Sequence, residues 1–241
     1  MHNACIISFF MKNIDTKTVD LQHRVVDKFN KSKYPHYSIL TDLRHGASMD
    51  FAWSMNGITH STFKEMKVEK KFDFDIILFL DIDCLPLWDG AIDEYISKAS
   101  EGRLVGNIQR SNHIQNNEHV FVAPSALALS VDSFLTMDKP TAIETSRADV
   151  AEEYTFAAEK VGIPIDYYMP LRYDEAPAEC PFWKLKEGMP VYGRGTTFGV
   201  PAGVDQNGPY PEQPYFWHQF QSFHPGQQEK FWKKCEELLS N

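Results

Sequence analysis

Five consecutive large apolar residues, Ile76 to Leu80, run straight into Asp81-Ile82-Asp83. An apolar run of that length reads as a buried strand. In an extended chain, side chains two residues apart share a face, so Asp81 and Asp83 stand together where the strand leaves its sheet. Two like charges held that close repel, and one must take up a proton unless a cation sits between them. A hard divalent cation accepts carboxylate oxygens and commonly substrate phosphates as well. The stretch therefore predicts a metal-bound diphosphate at the carboxyl edge of an α/β sheet, where ligands bind in open sheets of this class. The plainer alternative is that Asp83 caps the next helix, or that both acids are exposed in a loop. The strand before the pair and the helix after it favour the metal.

Strand and helix patterns alternate through the first half. Ala4 to Phe10, Tyr37 to Leu43 and Leu104 to Gln109 read as strands. Thr16 to Asn30, Met49 to Met66 and Gly90 to Ser100 read as helices. This predicts the α/β class, with a mostly parallel central sheet and helices on both faces. Further on, His119 to Ala123 and Ile165 to Met169 read as strands. Ser130 to Met137, Ser146 to Val161 and Gln227 to Leu239 read as helices. From Glu175 the chain is rich in Pro and Gly and reads as a long irregular segment, a lid or binding loop. The 241 residues suit one domain, divided into a nucleotide-binding half over 1–110 and an acceptor half over 111–241.

Composition excludes several classes. A net charge of −9 disfavours broad binding to nucleic acid or an anionic membrane. Cys5, Cys84, Cys180 and Cys235 form no CxxC pair, so neither structural zinc nor a disulfide framework is indicated. No segment approaches the ~20 apolar residues of a membrane span. The N-terminal stretch lacks the basic start and cleavage site of a signal peptide. A soluble, cytoplasmic protein is the expectation.

An apolar strand ending in D-x-D some eighty residues in resembles the nucleotide-sugar glycosyltransferases of the GT-A fold, GT2-like or GT8-like. The resemblance implies a divalent cation, Mn²⁺ or Mg²⁺, held against the diphosphate of a sugar donor. It implies Asp83 as direct ligand, Asp81 at the metal, the ribose or both, and Asp42 near the nucleotide. It also implies a late histidine on the metal. His218, in the aromatic run Tyr215-Phe-Trp-His-Gln-Phe, and His224, in His-Pro-Gly226 with Lys230 beyond, are the two candidates. A neutral imidazole suits Mn²⁺-like ions and completes a shell begun by carboxylates. Lys230 and the loop Gly193-Arg194-Gly195-Thr196 offer Arg194, Thr196 and backbone N–H groups to a diphosphate or sugar.

The helix pattern from Ser146 carries Asp149, Glu152 and Glu153 on the side away from its apolar stripe. An S-x-x-D capping box accounts for Asp149 in structural terms. The segment also resembles the acidic helix of inverting GT-A enzymes, where a carboxylate takes the proton from the acceptor hydroxyl. The resulting expectation is transfer of a sugar from a nucleotide-diphosphate donor to a hydroxyl acceptor. That acceptor is a glycan or, less in keeping with the −9 charge, a hydroxymethylated base in DNA. The rival readings are a sugar nucleotidyltransferase and a non-catalytic carbohydrate- or nucleotide-binding relative. The connection after the first strand, FFMKNIDTKT, lacks the glycine-rich phosphate loop of the first rival.

Overall fold

A computed structural model describes residues 2–41, 55, 59, 74–111, 118–175, 193–205, 208–220 and 222–240. β1 (Ala4–Met11) lies between β2 (His36–Thr41) and β3 (Ile76–Leu80), parallel to both. Alternation sends the side chains of β1 and β3 into two cores. Ala4, Ile6, Ile76, Leu78 and Leu80 pack on one side with α1 (Thr16–Phe29) and α2 (Ala91–Ser100). Cys5, Ile7, Phe9, Ile77 and Phe79 pack on the other with α3 (Val131–Thr136) and α4 (Glu152–Val161). α1 starts where Asp15 caps it, Oδ1 accepting the Lys17 N–H at 2.8 Å. Its outer stripe, Leu21, Val25 and Phe29, receives Phe231 and Cys235 of α5 (Gln227–Ser240).

The remaining strands are β4 (Cys84–Pro86), β5 (Leu104–Arg110), β6 (Val120–Ser130), β7 (Ile165–Glu175), β8 (Arg194–Val200) and β11 (Gln213–Gln219). They complete a nine-stranded sheet in the order β2-β1-β3-β6-β5-β7-β8-β11-β4. β9 (Gly203–Asp205) and β10 (Gly208–Tyr210) form a separate ribbon. The α/β class and the helices on both faces are as expected, but the sheet is mixed. Parallel pairing is confined to β2-β1-β3 and to β5-β7. β6 runs antiparallel to both β3 and β5, and β7, β8, β11 and β4 pair antiparallel in turn. The described chain places no crossover helix between β8 and β11, and parallel neighbours need one.

Three other expectations change. First, β6 continues through Pro124, where a short strand was expected to stop at Ala123. Proline lacks a ladder N–H, and Pro124 sits in an irregularity where the register against β5 jumps between Gly106 and Ile108. There the β6 backbone passes so close that a Cβ on Gly106 would lie 2.2 Å from the Ala126 carbonyl oxygen. Second, the helix predicted from Ser146 begins at Glu152. Residues 145–151 form a loop, with Thr145 N–H donating to Ala148 O at 3.0 Å and Ala151 N–H to Ala142 O at 2.9 Å. Third, the segment after Glu175 contains β8 to β11 rather than one long loop. Of the glycines that suggested a loop, Gly199 marks close backbone approach instead: a Cβ there would lie 2.0 Å from Gln213 O. Of the helix predicted over Met49 to Met66, Met55 and Thr59 are described, both helical; the rest, like Asp42, lies outside the described residues.

Candidate metal centre

β3 ends at Leu80, and after three intervening residues β4 begins at Cys84. β4 pairs antiparallel with β11, so that Cys84 faces His218. The Asp83 carbonyl accepts the Gln219 N–H at 2.9 Å and locks that register. A histidine 135 positions further along the chain is thereby brought onto the D-x-D turn. Its Nε2 lies 3.1 Å from Asp83 Oδ1 and 3.5 Å from Asp81 Oδ2. One ligand atom from each of the three residues falls within 4.8 Å of the others. Adjacent ligands of an octahedral ion at 2.0–2.1 Å stand about 3 Å apart, so little movement would bring this set onto one ion. Two carboxylate oxygens and an imidazole nitrogen fit Mn²⁺ better than Mg²⁺, which prefers oxygen alone.

The electrostatics fit the same ion. Burial raises the Asp81 carboxyl to about 7, and the charge of Asp83 adds to this while His218 opposes it. Burial works against a charged His218, but Asp83 and Asp81 outweigh it and lift its pKa. Without a cation, the cluster must hold protons that a metal would displace.

The turn is held from behind by residues that the sequence did not single out. Asp81 N–H donates to Ser125 O at 3.0 Å, in the β6 irregularity. Ser125 Oγ accepts from Asn107 Nδ2 (3.1 Å), whose Oδ1 accepts from the Tyr95 hydroxyl (2.8 Å). Gln22 Nε2 donates to Ser8 Oγ (3.0 Å) and reaches the Asp81 carbonyl at 3.5 Å. Ser222 N–H donates to Asp83 Oδ2 at 3.2 Å. One signal was available: Ser8 and Asn107 interrupt apolar strands, and Gln22 sits on the buried stripe of α1 with Thr18, Leu21 and Val25. Buried polar groups need partners, so such interruptions mark networks.

The other candidates lie apart from this cluster. Among the described residues, His224 is not in the group that could share an ion; its ring stacks on Phe223 at 4.6 Å. Arg194 and Lys230 line a cavity of about 320 Å³ with Asp174 and Glu175, and Glu175 is ion-paired to Lys230. Trp217 and Gln219 line that cavity, while His218 between them turns to Asp83. The Thr196 hydroxyl is buried and donates to Gly193 O at 2.5 Å.

The three acids near α4 have different surroundings. Glu152 is 0% exposed. Its Oε1 pairs with His119 Nδ1 at 2.5 Å, and its Oε2 accepts from Ser111 Oγ (2.8 Å) and from Asp149 N–H (2.6 Å). Glu153 is held by the Arg147 guanidinium at 2.9 and 2.5 Å and by Thr145 Oγ1 at 2.9 Å; the Arg147 bonds lower its pKa. Asp149 is half-buried, and its Oδ1 accepts the Val150 N–H at 2.7 Å. Ala151, next in the loop, has a left-handed backbone (φ 63°). Such conformations cost about 1 kcal/mol or more in a non-glycine residue and cluster at functional sites. Ser111 follows the end of β5, and β5 points the same way as β3, since both run antiparallel to β6. The Asp149 loop and the D-x-D turn therefore share one edge of the sheet.

No family model and no curated protein matches the chain. Solved structures similar to it include the catalytic domain of Drosophila β1,4-galactosyltransferase 7 with xylobiose, at 12% identity over 92% of this chain and 96% of that one, TM-score 0.46. A mutant of that enzyme, in complex with manganese, UDP-Gal and xylobiose, matches over the same shares at 12% identity and TM-score 0.43. A nucleotide-diphospho-sugar transferase from Desulfovibrio desulfuricans, itself described as putative, is 10% identical over 69% of this chain and 81% of its own, TM-score 0.35. The first two of these are glycosyltransferase structures. At such distances they lend the site no chemistry, which comes from its own residues.

Proposed function

We propose that this chain is a metal-dependent glycosyltransferase that moves a sugar from a nucleotide-diphosphate donor to a hydroxyl acceptor. The observation that carries the reading is the convergence of Asp81, Asp83 and His218 at the carboxyl edge of β3. Bound there, a divalent cation would neutralise charge on the departing diphosphate. Asp83 and His218 would hold it directly, with Asp81 as the third ligand. Residues 1–110 would form most of the donor side, and 111–241 the acceptor side together with His218. Glu152 is sealed and Glu153 is clamped by Arg147; Asp149, half-buried in a loop on the same sheet edge as the D-x-D turn, would be the base that takes the acceptor proton. A carbohydrate hydroxyl is the acceptor class that the acidic chain favours over DNA.

The nucleotidyltransferase alternative has no support at the β1–α1 connection. Residues 12–15, Lys-Asn-Ile-Asp, contain no glycine with which to cradle a triphosphate. No described helix is long and apolar enough to cross a membrane.

The reading is tested by calorimetric titration of UDP, GDP and CDP with and without Mn²⁺. One nucleotide diphosphate should bind only when the metal is present, and Asp83→Asn should lose that binding. Binding of free sugar without nucleotide, or nucleotide binding indifferent to metal, would reject it.

A further inference from the structure

Glu152 has the wrong surroundings for a base and the right ones for a clamp. Both of its oxygens are committed, to His119, Ser111 and the Asp149 amide. No face is left for a substrate hydroxyl. The His119 ring stacks on Phe156 at 4.1 Å and 5°, and its Nε2 lies 3.5 Å from Glu159 Oε1. The Arg147 guanidinium sits 4.5 Å from the same Phe156 ring and grips Glu153. The loop is thus fixed from β5, from the start of β6 and from α4. Through Oε2, Glu152 holds the backbone amide of Asp149 itself.

We infer that the buried Glu152–His119–Ser111 cluster is a positioning device that sets the Asp149 loop, with Glu152 not itself the proton acceptor. Only the role of Asp149 rests on the transferase reading; the clamp stands on its own contacts. The cost of the left-handed Ala151 backbone is met by these bonds. A carboxylate accepting from an imidazole, a hydroxyl and an amide is saturated and rigid.

Hydrogen–deuterium exchange on the full chain, without ligand, tests this. Glu152→Ala and His119→Leu should speed exchange in residues 145–151 by about tenfold or more, while residues 76–86 change less than about twofold. In His119→Asn the amide N–H stands in for Nδ1–H, so the loop should stay within about twofold of the parent chain. Binding of Mn²⁺ alone should stay within about threefold in all variants, since the metal cluster is separate. Unchanged exchange at 145–151 in His119→Leu overturns the inference. So does acceleration spread equally to 76–86, or a His119→Asn variant no better than His119→Leu. Failure of every nucleotide diphosphate to bind with Mn²⁺ would reject the transferase reading and leave the exchange result standing.

Discussion

Two carboxylate–histidine clusters stand on one edge of this sheet, and they differ in how donors and acceptors balance. At Glu152 a single carboxylate meets an imidazole, a hydroxyl and an amide. At Asp81 and Asp83 two carboxylates share one imidazole, and burial leaves Asp81 with its pKa raised to about 7. In the first cluster the carboxylate has its full set of donors, and the second is short of positive charge. A buried acid with its full complement of donors is structural; a partly buried pair with too few asks for a cation. The residue types are the same, so only the count of partners separates a clamp from a binding site.

The most severe way to break this comparison is to remove the satisfied acid. Glu152→Ala strands a histidine, a serine and an amide, and should cost about 3–5 kcal/mol in chemical denaturation. The unsatisfied pair should respond in the opposite sense: Asp81→Asn removes a charge the fold disfavours, and should raise the melting temperature of the metal-free protein. If both substitutions destabilise alike, the contrast is wrong. Asp83→Asn comes next in size. It should weaken Mn²⁺ binding at least ~100-fold, about 2.7 kcal/mol, in a calorimetric titration with the metal alone. The same substitution should leave exchange in residues 145–151 untouched.

How much of this was legible follows the same division. Strand β3 and the D-x-D turn are local features, written in seven consecutive residues, Ile76 to Ile82, and closed by Asp83. That His218 rather than His224 meets them depends on β11 pairing with β4, a register set by backbone bonds that no spacing announces. The clamp was less visible still. Ser111 and His119 lie 41 and 33 positions from Glu152 and form no motif with it. The apolar stripe around Tyr154 extended the predicted helix back to Ser146, because periodicity cannot register a left-handed residue such as Ala151. Beyond Glu175, glycine and proline outweighed the β-formers Thr196, Thr197 and Phe198. Yet Gly199 there serves strand packing.

A third histidine sharpens the contrast at smaller scale. Among the described residues, His36 pairs with no carboxylate: Ser8 Oγ lies 3.0 Å from its Nε2, and its ring stacks on His23 at 4.7 Å. Burial, then the His23 charge, lowers its pKa to about 3. Here the native state resists a proton that the unfolded chain accepts near 6.5. Stability is therefore fully present above that value and falls as pH drops from 6.5 towards 3. Between pH 7 and 5.5 the loss should be about 1 kcal/mol by this group, and His36→Gln should flatten that part of a denaturation-versus-pH profile. A profile unchanged by His36→Gln would show that the imidazole is already satisfied in both protonation states.

The smallest effect belongs to the pair outside the clamp. Arg147 grips Glu153 through two nitrogens, which looks as strong on paper as the His119–Glu152 contact. But the Arg147 side chain is 62% exposed, so water screens the pair and competes for it. Arg147→Ala should cost below about 1 kcal/mol in stability, part of it from losing the packing of the guanidinium on Phe156. The Glu153 carboxyl, held down chiefly by Arg147, should titrate higher in the variant, observable by carboxyl-carbon NMR. Exchange in residues 145–151 should rise far less than in Glu152→Ala. A loss in Arg147→Ala equal to that in Glu152→Ala would mean that geometry, and not burial with a full set of donors, sets the strength of these contacts.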